Sequence, residues 1–184
     1  MRRIMIIGQP GAGKSTLARE LGGITHLPVI HIDHIHWMAG WREREGAEKD
    51  RLCREVHARP VWIFEGGRSS TWPERLERAD TLIWLDMPLA IRLAHVLRRT
   101  LRYHGRQRPD LPAACPDRFS LEFLCYIWRT RRSSREAMRE LTDHARLNHS
   151  DCAVYRLGSS RQVKRFLANL RYAAARGNLG ISHS

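Results

Sequence analysis

The residues with the clearest chemical potential lie in one stretch near the start of the chain, residues 8–16, which reads GQPGAGKST. Its glycines allow positive φ and inward-pointing N–H groups, which form a cradle for phosphate oxygens. Lys14 can reach the outer phosphates of a nucleotide, and the Ser15 hydroxyl suits Mg²⁺. The stretch predicts a site for a nucleoside triphosphate, built from Gly8, Gln9, Pro10, Gly11, Ala12, Gly13, Lys14, Ser15 and Thr16.

The segments on both sides of this stretch support the prediction. An apolar run, residues 4–7, precedes it, and a helix-forming run, residues 17–21, follows it. A buried strand, a glycine-rich turn and a helix are the context that such a phosphate-binding loop requires. A glycine turn that matches the pattern by chance is the alternative, and the flanking runs make it much the weaker one.

Three carboxylates, Asp33, Glu65 and Asp86, close predicted buried strands. In open parallel sheets, ligands bind beyond the carboxyl ends of the strands. We therefore expect Asp33 to bind or deprotonate an acceptor hydroxyl, with a helix N-cap or a solvated strand end as the alternative. Glu65 is expected to hold Mg²⁺ with Ser15, unless it is a plain strand-end carboxylate. Asp86 is interpreted as structural.

Three histidines and Asp33 fall within residues 31–36, a pattern that invites a metal interpretation. On a strand, however, His31 and Asp33 share one face, whereas His34 and His36 share the other. A zinc site is therefore not favoured.

Aromatic and basic side chains surround these candidates. Trp37 and Trp41 are interpreted either as walls of an acceptor pocket or, more commonly for aromatic residues, as core. Arginines crowd residues 92–108 and 129–135. One or two of them are expected to neutralise a transferring phosphoryl group, and the others to form a solvated basic face.

Short apolar runs alternate with segments of helical periodicity, which predicts an α/β protein with a parallel sheet covered on both faces. The predicted strands are residues 3–8, 28–33, 61–65, 81–86 and 153–157.

A long helical insertion is predicted between the fourth and fifth strands. It contains helices at residues 89–103 and 121–141, separated by a proline-containing stretch that cannot be regular structure. We expect a mobile, arginine-bearing lid at about residues 98–135. The prediction is one domain over residues 1–172, followed by a frayed tail at 173–184.

The bulk composition sets limits on partners and location. The chain has 184 residues and a net charge of +13, carried almost entirely by arginine, which favours polyanionic ligands unless a GC-rich genome explains the excess. Its four cysteines are scattered without metal-ligand spacing, which indicates free thiols in a reducing cytoplasm. No apolar run is long enough for a membrane span, and the N-terminus runs directly into a strand. We expect a cytoplasmic protein without a membrane partner.

At this point the chain resembles a known family. The loop GQPGAGKST, the acids closing the second and third strands, and a strand–proline–helix with a later arginine resemble the adenylate kinase-like branch of P-loop kinases. The runs HIDHIHW, RLERAD and RYHGRQRPD look more specifically like bacterial proteins labelled DNA topology modulation proteins, over about residues 1–170.

The resemblance implies a P-loop NTPase three-layer sandwich with a five-stranded parallel sheet in the order 2-3-1-4-5. It also implies ATP, Mg²⁺ and phosphoryl transfer to a small-molecule or nucleotide acceptor, which the sequence leaves unidentified. Arg99 has the spacing from Pro88 at which adenylate kinases place a lid arginine against adenine, and Gly158 matches their adenine loop. The expected catalytic residues are Lys14, Asp33 and Arg99, to which the resemblance points, and Arg132, which a closing lid would bring to the phosphates.

Two departures from the related kinases concern the acceptor side. His31 stands where shikimate kinase-like members have the first acid of an acid-x-acid pair. The run Glu65-Gly66-Gly67-Arg68 lacks the proline of adenylate kinases and places the arginine one residue early, which argues against AMP as the acceptor.

The alternative hypothesis is a nucleotide-binding regulator that associates with nucleic acid and has no kinase activity. Its motives are the charge of +13 and the label of the similar proteins. The kinase is favoured because the sequence has no helix-turn-helix, zinc-finger or single-strand-binding signature, and charge alone gives only nonspecific affinity.

Overall fold

The computed structural model describes residues 1–103, 111, 112, 115 and 120–177. The strands are β1 (Arg3–Gly8), β2 (Val29–His31), β3 (Trp37–Met38), β4 (Arg42–Glu43), β5 (Trp62–Glu65), β6 (Thr81–Leu85) and β7 (Ala153–Leu157). The helices are α1 (Lys14–Thr25), α2 (Ile32–His36), α3 (Gly46–His57), α4 (Trp72–Arg78), α5 (Leu89–Tyr103), α6 (Leu121–Arg129), α7 (Ser133–Asn148) and α8 (Ser160–Ala175).

The main sheet has five parallel strands in the order β2-β5-β1-β6-β7. Counted along the sheet-forming strands alone, this is the expected order 2-3-1-4-5. The three central strands β5, β1 and β6 are almost wholly buried, as parallel strands between two helical layers must be. The α/β prediction is confirmed.

The core lies on both faces of the sheet because alternate side chains of each strand point to opposite sides. Met5 and Ile7 of β1 pack with Phe64 in a cluster that includes residues of α3, α4 and α7. Ile4 and Ile6 pack in a second cluster with residues of α1 and α8. Successive residues of β1 therefore alternate between the two clusters, one on each face of the sheet.

The prediction of a strand through Asp33 is wrong. Strand β2 ends at His31, and Asp33 lies in the first turn of the short helix α2. The neighbouring strand β5 offers no pairing beyond Glu65, which pairs with His31, so the edge strand has no partner to extend along. The strand-face reasoning for the histidines of this segment therefore does not apply.

The single helix expected over 121–141 is also wrong, because the segment forms α6 and α7 with a break at residues 130–132. At the break the backbone bonds elsewhere: the Gln9 side-chain amide donates to the carbonyl of Arg131 at 2.9 Å. Much of the predicted lid loop, including residues 104–110 and 116–119, lies outside the described residues.

The last helix extends further than expected, because α8 continues to Ala175 within the predicted tail. Residues 178–184 of that tail lie outside the described residues. In the described part of the chain, no helix combines the length and the apolar character needed to cross a membrane.

The antiparallel pair β3–β4 was not predicted. A short turn connects its strands, and both Gly40 and Trp41 have positive φ there. The Trp41 backbone N–H donates to Cys115 Sγ at 3.3 Å, and the Cys115 thiol donates to the Met38 carbonyl at 3.4 Å. The insertion between β6 and β7 therefore contacts the hairpin.

Candidate active site

The predicted phosphate-binding loop connects β1 to α1 at the carboxyl edge of the sheet. Gly11 and Gly13 have φ values of 80° and 92°, in the left-handed region that favours glycine. A Cβ on Gly11 would lie 2.4 Å from the Arg92 carbonyl oxygen of α5. The glycines thus permit both the turn and the close approach of α5.

Lys14 is the first residue of α1, and its Nζ lies 3.4 Å from the Gln9 carbonyl oxygen across the loop. Burial lowers the pKa of the Lys14 ammonium, against the opposing effect of the Glu65 and Asp33 carboxylates. Lys14, the strand-end acid Glu65 and Asp33 of α2 are therefore close enough to interact electrostatically at this edge of the sheet.

Ser15 and Glu65 meet directly. The Ser15 hydroxyl donates to Glu65 Oε1 at 3.0 Å, and the Glu65 side chain is almost fully buried. A hydroxyl and a carboxylate beside a triphosphate loop are oxygen ligands that suit Mg²⁺. The described residues contain no group of three or more His, Cys, Asp or Glu that could hold a metal ion. Ser15 and Glu65 are too few to hold Mg²⁺ alone. They would suit an Mg²⁺ ion that also has phosphate oxygens and water as ligands.

His31 also contacts the Glu65 carboxylate, a contact that was not predicted from the sequence. Its Nδ1 lies 2.8 Å from Glu65 Oε1, the same oxygen that Ser15 contacts. The pairing of His31 with Glu65 in the sheet register brings the two together. The strand registry was the missing signal, because it is a property of the paired strands and not of either segment alone.

Asp33 is positioned by the contact between α2 and the turn after β5. Gly66 in that turn has a φ of 118°, and a Cβ there would lie 2.0 Å from Ile32 Cγ2. Only glycine allows α2 to lie this close to the end of β5. The turn thereby places Asp33 within electrostatic range of Lys14.

Beneath this turn lies Arg75 of α4, which is fully buried. Its Nη1 donates to the Gly66 carbonyl at 3.3 Å, and its guanidinium lies 3.9 Å from the Phe64 ring centroid. Its Nε donates to His57 Nε2 at 3.2 Å. Burial lowers the pKa of Arg75 to about 10, a value at which it stays charged at neutral pH. Arg75 stabilises the turn by its hydrogen bond to the Gly66 carbonyl, a role that no sequence motif indicated.

His57 provides a pH-dependent prediction. Burial and the Arg75 charge lower the pKa of His57 from 6.5 to about 4. Between about pH 4 and pH 6.5, His57 is protonated in the unfolded chain but neutral in the folded chain. The free energy of unfolding is therefore unaffected by this residue above about pH 6.5, and it decreases as the pH falls toward 4. We expect His57→Gln to flatten the pH dependence of the unfolding free energy in that window.

Urea unfolding at several pH values measures this effect. The matched control is His34→Gln, because His34 is exposed. Equal slopes for the wild type and His57→Gln would contradict the assignment.

Helix α5 packs against the phosphate-binding loop. The buried Arg92 donates from Nη1 to the Pro10 carbonyl at 3.4 Å, and His95 Nδ1 donates to the Gly11 carbonyl at 2.9 Å. The charges of Arg99 and Arg92 add to the lowering of the Lys14 pKa. The predicted lid arginine Arg99 is therefore electrostatically coupled to the phosphate site.

The other predicted lid arginine, Arg132, is exposed and precedes α7. It follows Arg131, whose carbonyl oxygen is held by the Gln9 side chain of the loop. Chain connectivity therefore places Arg132 near the phosphate-binding loop.

Asp86, at the end of β6, has a structural role, as expected. Arg135 donates to both of its carboxylate oxygens at 2.8 and 2.9 Å, and Arg156 donates to Oδ2 from two nitrogens at 2.6 and 3.1 Å. These contacts join α7 to β7. Nearby, the Gly158 N–H donates to Gln162 Oε1 at 2.6 Å, in the loop after β7.

No family model matches the chain. A shikimate kinase from Halorhodospira halophila is 31% identical over 133 residues, which cover 62% of this chain and 70% of the relative. A shikimate kinase from Bacteroides fragilis is 31% identical over 139 residues, covering 67% and 74%. One from Thioalkalivibrio sulfidiphilus is 28% identical over 179 residues, covering 80% and 89%.

Among solved structures, shikimate kinase from Acinetobacter baumannii in complex with shikimate is similar in fold. Its TM-score is 0.50 at 17% identity, and the match covers 98% of this chain and 96% of that one.

The fold, the loop and these similarities define a P-loop phosphotransferase that uses ATP with Mg²⁺. The chain belongs to the shikimate kinase family. The predicted kinase chemistry is confirmed, and the nucleic-acid regulator is not favoured.

Proposed function

We propose that the protein transfers the γ-phosphoryl group of ATP to a hydroxyl of a small molecule held at Asp33. The convergence of Lys14, Glu65 and Asp33 at one edge of the sheet carries this proposal. Lys14 and the loop N–H groups hold the phosphates. Ser15 and Glu65 would hold Mg²⁺, which would supply positive charge against the phosphates. Asp33 binds the acceptor hydroxyl and accepts its proton.

Two arginines of the insertion stabilise the charge that spreads over the transferring phosphoryl group. Arg99 already acts on the Lys14 ammonium through space. Arg132 reaches the same region through the contact between Gln9 and the Arg131 carbonyl. The adenine lies toward Gly158 in this proposal, on the side of β7.

The more specific resemblance to DNA topology modulation proteins stays a prediction, as does binding of nucleic acid. Supply of ATP in the cytoplasm fits a cytoplasmic location for the proposed reaction. The lid at 98–135 and the single domain over 1–172 are parts of the same proposal.

ADP release in the presence of ATP and candidate acceptors tests the proposed function. The panel contains shikimate, nucleosides and sugars, each with Mg²⁺ and with EDTA. We expect Mg²⁺-dependent ADP release that at least one acceptor stimulates about tenfold or more, because a positioned acceptor converts a bimolecular encounter into a local reaction. ADP release at the same rate with and without every acceptor would contradict the proposal.

A further inference from the structure

One buried oxygen atom, Glu65 Oε1, has two hydrogen-bond partners. His31 Nδ1 lies 2.8 Å from it, and the Ser15 hydroxyl donates to it at 3.0 Å. The side chains of His31 and Glu65 are 11% and 3% exposed. Water therefore has little access to the pair, and solvent would not readily replace a hydrogen bond that is lost here.

Strand register brings these partners together. Ile30 pairs with Phe64, and the next pair along the strands is His31 with Glu65. Ile30 and Phe64 pack in the core cluster on one face of the sheet. Because side chains alternate along a strand, His31 and Glu65 lie on the opposite face, where α1 packs. Ser15 belongs to the first turn of α1. The contact is therefore built by two strands and a helix.

The chemistry of the two groups gives the direction of the bond between them. An ionised carboxylate oxygen only accepts hydrogen bonds, so His31 Nδ1 is the donor. A neutral imidazole with its proton on Nδ1 makes this bond without any charge. The Ser15 hydroxyl, the other donor, is uncharged as well. Glu65 is therefore held by two donors that need no positive charge.

These donors also bear on Lys14. Glu65 is close enough to act electrostatically on the Lys14 ammonium. The Lys14 Nζ nevertheless donates to the Gln9 carbonyl across the loop, at 3.4 Å. A buried carboxylate that loses its hydrogen-bond donors gains by turning toward a nearby cation, since a buried charge is costly without a partner. Donors on Glu65 Oε1 oppose that movement and leave the ammonium to the phosphates.

We propose that His31 is a positioning residue, whose Nδ1–H fixes the Glu65 carboxylate so that Oε2 is left for Mg²⁺ or for a water molecule bound to it. This inference rests on the proposed function and extends its metal site beyond Ser15 and Glu65. Hydrogen bonds to a ligating carboxylate orient it and tune the affinity for the metal. Position 31, where shikimate kinase-like members have an acid, thus supplies a hydrogen-bond donor in this chain.

Calorimetry of a nonhydrolysable ATP analogue, with Mg²⁺ and with EDTA, tests this role. The ratio of the two affinities is the gain that Mg²⁺ provides. We expect His31→Leu to reduce this gain about tenfold or more, since groups that hydrogen-bond to metal ligands typically account for about 10–100-fold in metal affinity. The affinity in EDTA should stay within about twofold, because Lys14 and the loop N–H groups contact the phosphates directly.

Asparagine at position 31 provides the rescue. Its Nδ2 can donate from nearly the same place as the imidazole Nδ1, so His31→Asn should keep the gain within about threefold of the wild type. His34 is exposed in α2, so His34→Leu and His34→Asn are the matched controls and should leave the gain unchanged. A folded His31→Leu protein with the wild-type gain overturns the inference. Equal losses of affinity with Mg²⁺ and with EDTA also overturn it, because they indicate a structural role only.

A measurement on the wild type keeps the test decisive even if His31→Leu fails to fold. NMR of isotope-labelled histidine shows which ring nitrogen carries the proton. We expect a proton on His31 Nδ1, both without ligand and with Mg²⁺ and the analogue bound. A proton on Nε2 alone overturns the inference, because the ring then has nothing to donate to Glu65.

The two proposals fail in different ways. Absence of acceptor-dependent ADP release, with a reduced gain in His31→Leu that His31→Asn restores, overturns the proposed function and supports the role of His31. An unchanged gain in His31→Leu overturns the role of His31, whatever the turnover.

Discussion

Lys14→Ala should weaken Mg-ATP binding at least about tenfold, as expected for the loss of a charge-assisted phosphate contact of about 1.5–3 kcal/mol. Without nucleotide, burial lowers the pKa of the Lys14 ammonium. A triphosphate beside it favours the charged form and so opposes this lowering. Alanine removes this charge and leaves the loop glycines unchanged.

Calorimetry with Mg-ATP measures the effect, and circular dichroism checks that the fold is intact. The control is Lys164→Ala, which removes an exposed ammonium of α8 and leaves the loop untouched. ATP affinity that stays within a factor of about two in a folded Lys14→Ala protein contradicts the assignment, because it leaves no room for the expected contact.

The parts of the fold that could be predicted from sequence are those that local patterns determine. Strands β1 and β7 have the bounds that their apolar runs predicted, and α5 begins and ends where its periodicity indicated. Each run ends next to residues that disfavour its continuation, such as the Gly8 that closes β1 and the Pro88 that precedes α5. The strand order followed from the family resemblance and not from the runs themselves.

The end of β2 could not be predicted in the same way. The apolar run continues through Ile32, but a strand persists only where a neighbour supplies hydrogen bonds, and β5 stops pairing at Glu65. The break between α6 and α7 has a similar origin, because the Gln9 side chain bonds to the Arg131 carbonyl from the far end of the chain. Both boundaries depend on tertiary contacts that a local window does not contain.

In the candidate site, too, some features follow from local sequence patterns, whereas others depend on tertiary contacts. The composition and spacing of residues 8–16 predicted the phosphate site. The strand-end position of Glu65 was enough to predict that its carboxylate lies near Ser15. The contact of His31 with Glu65 depends on strand register, and the contact of Arg75 with the Gly66 carbonyl depends on the packing of α4. A buried arginine in a helical segment has no sequence pattern that separates it from the many exposed ones.

Asp33→Asn should reduce phosphoryl transfer by roughly 10²-fold or more while leaving ATP affinity within about threefold. Asparagine keeps the size and the hydrogen-bonding capacity of the side chain but cannot accept the acceptor's proton. The phosphate contacts come from Lys14 and the loop, so they survive the change. We expect the loss to fall mainly on kcat, because the amide can still bind the acceptor hydroxyl.

The measurement compares kcat and KM for the best acceptor of the panel, together with ATP affinity by calorimetry. Asp151→Asn is the matched control, since Asp151 is exposed in the turn before β7 and lies outside the proposed site. A rate above about one third of the wild-type value in Asp33→Asn would assign the carboxylate to support of α2, because loss of a general base costs at least 10²-fold. A loss in ATP affinity as large as the loss in transfer rate would instead assign the Asp33 carboxylate to the nucleotide site, where its charge acts on Lys14.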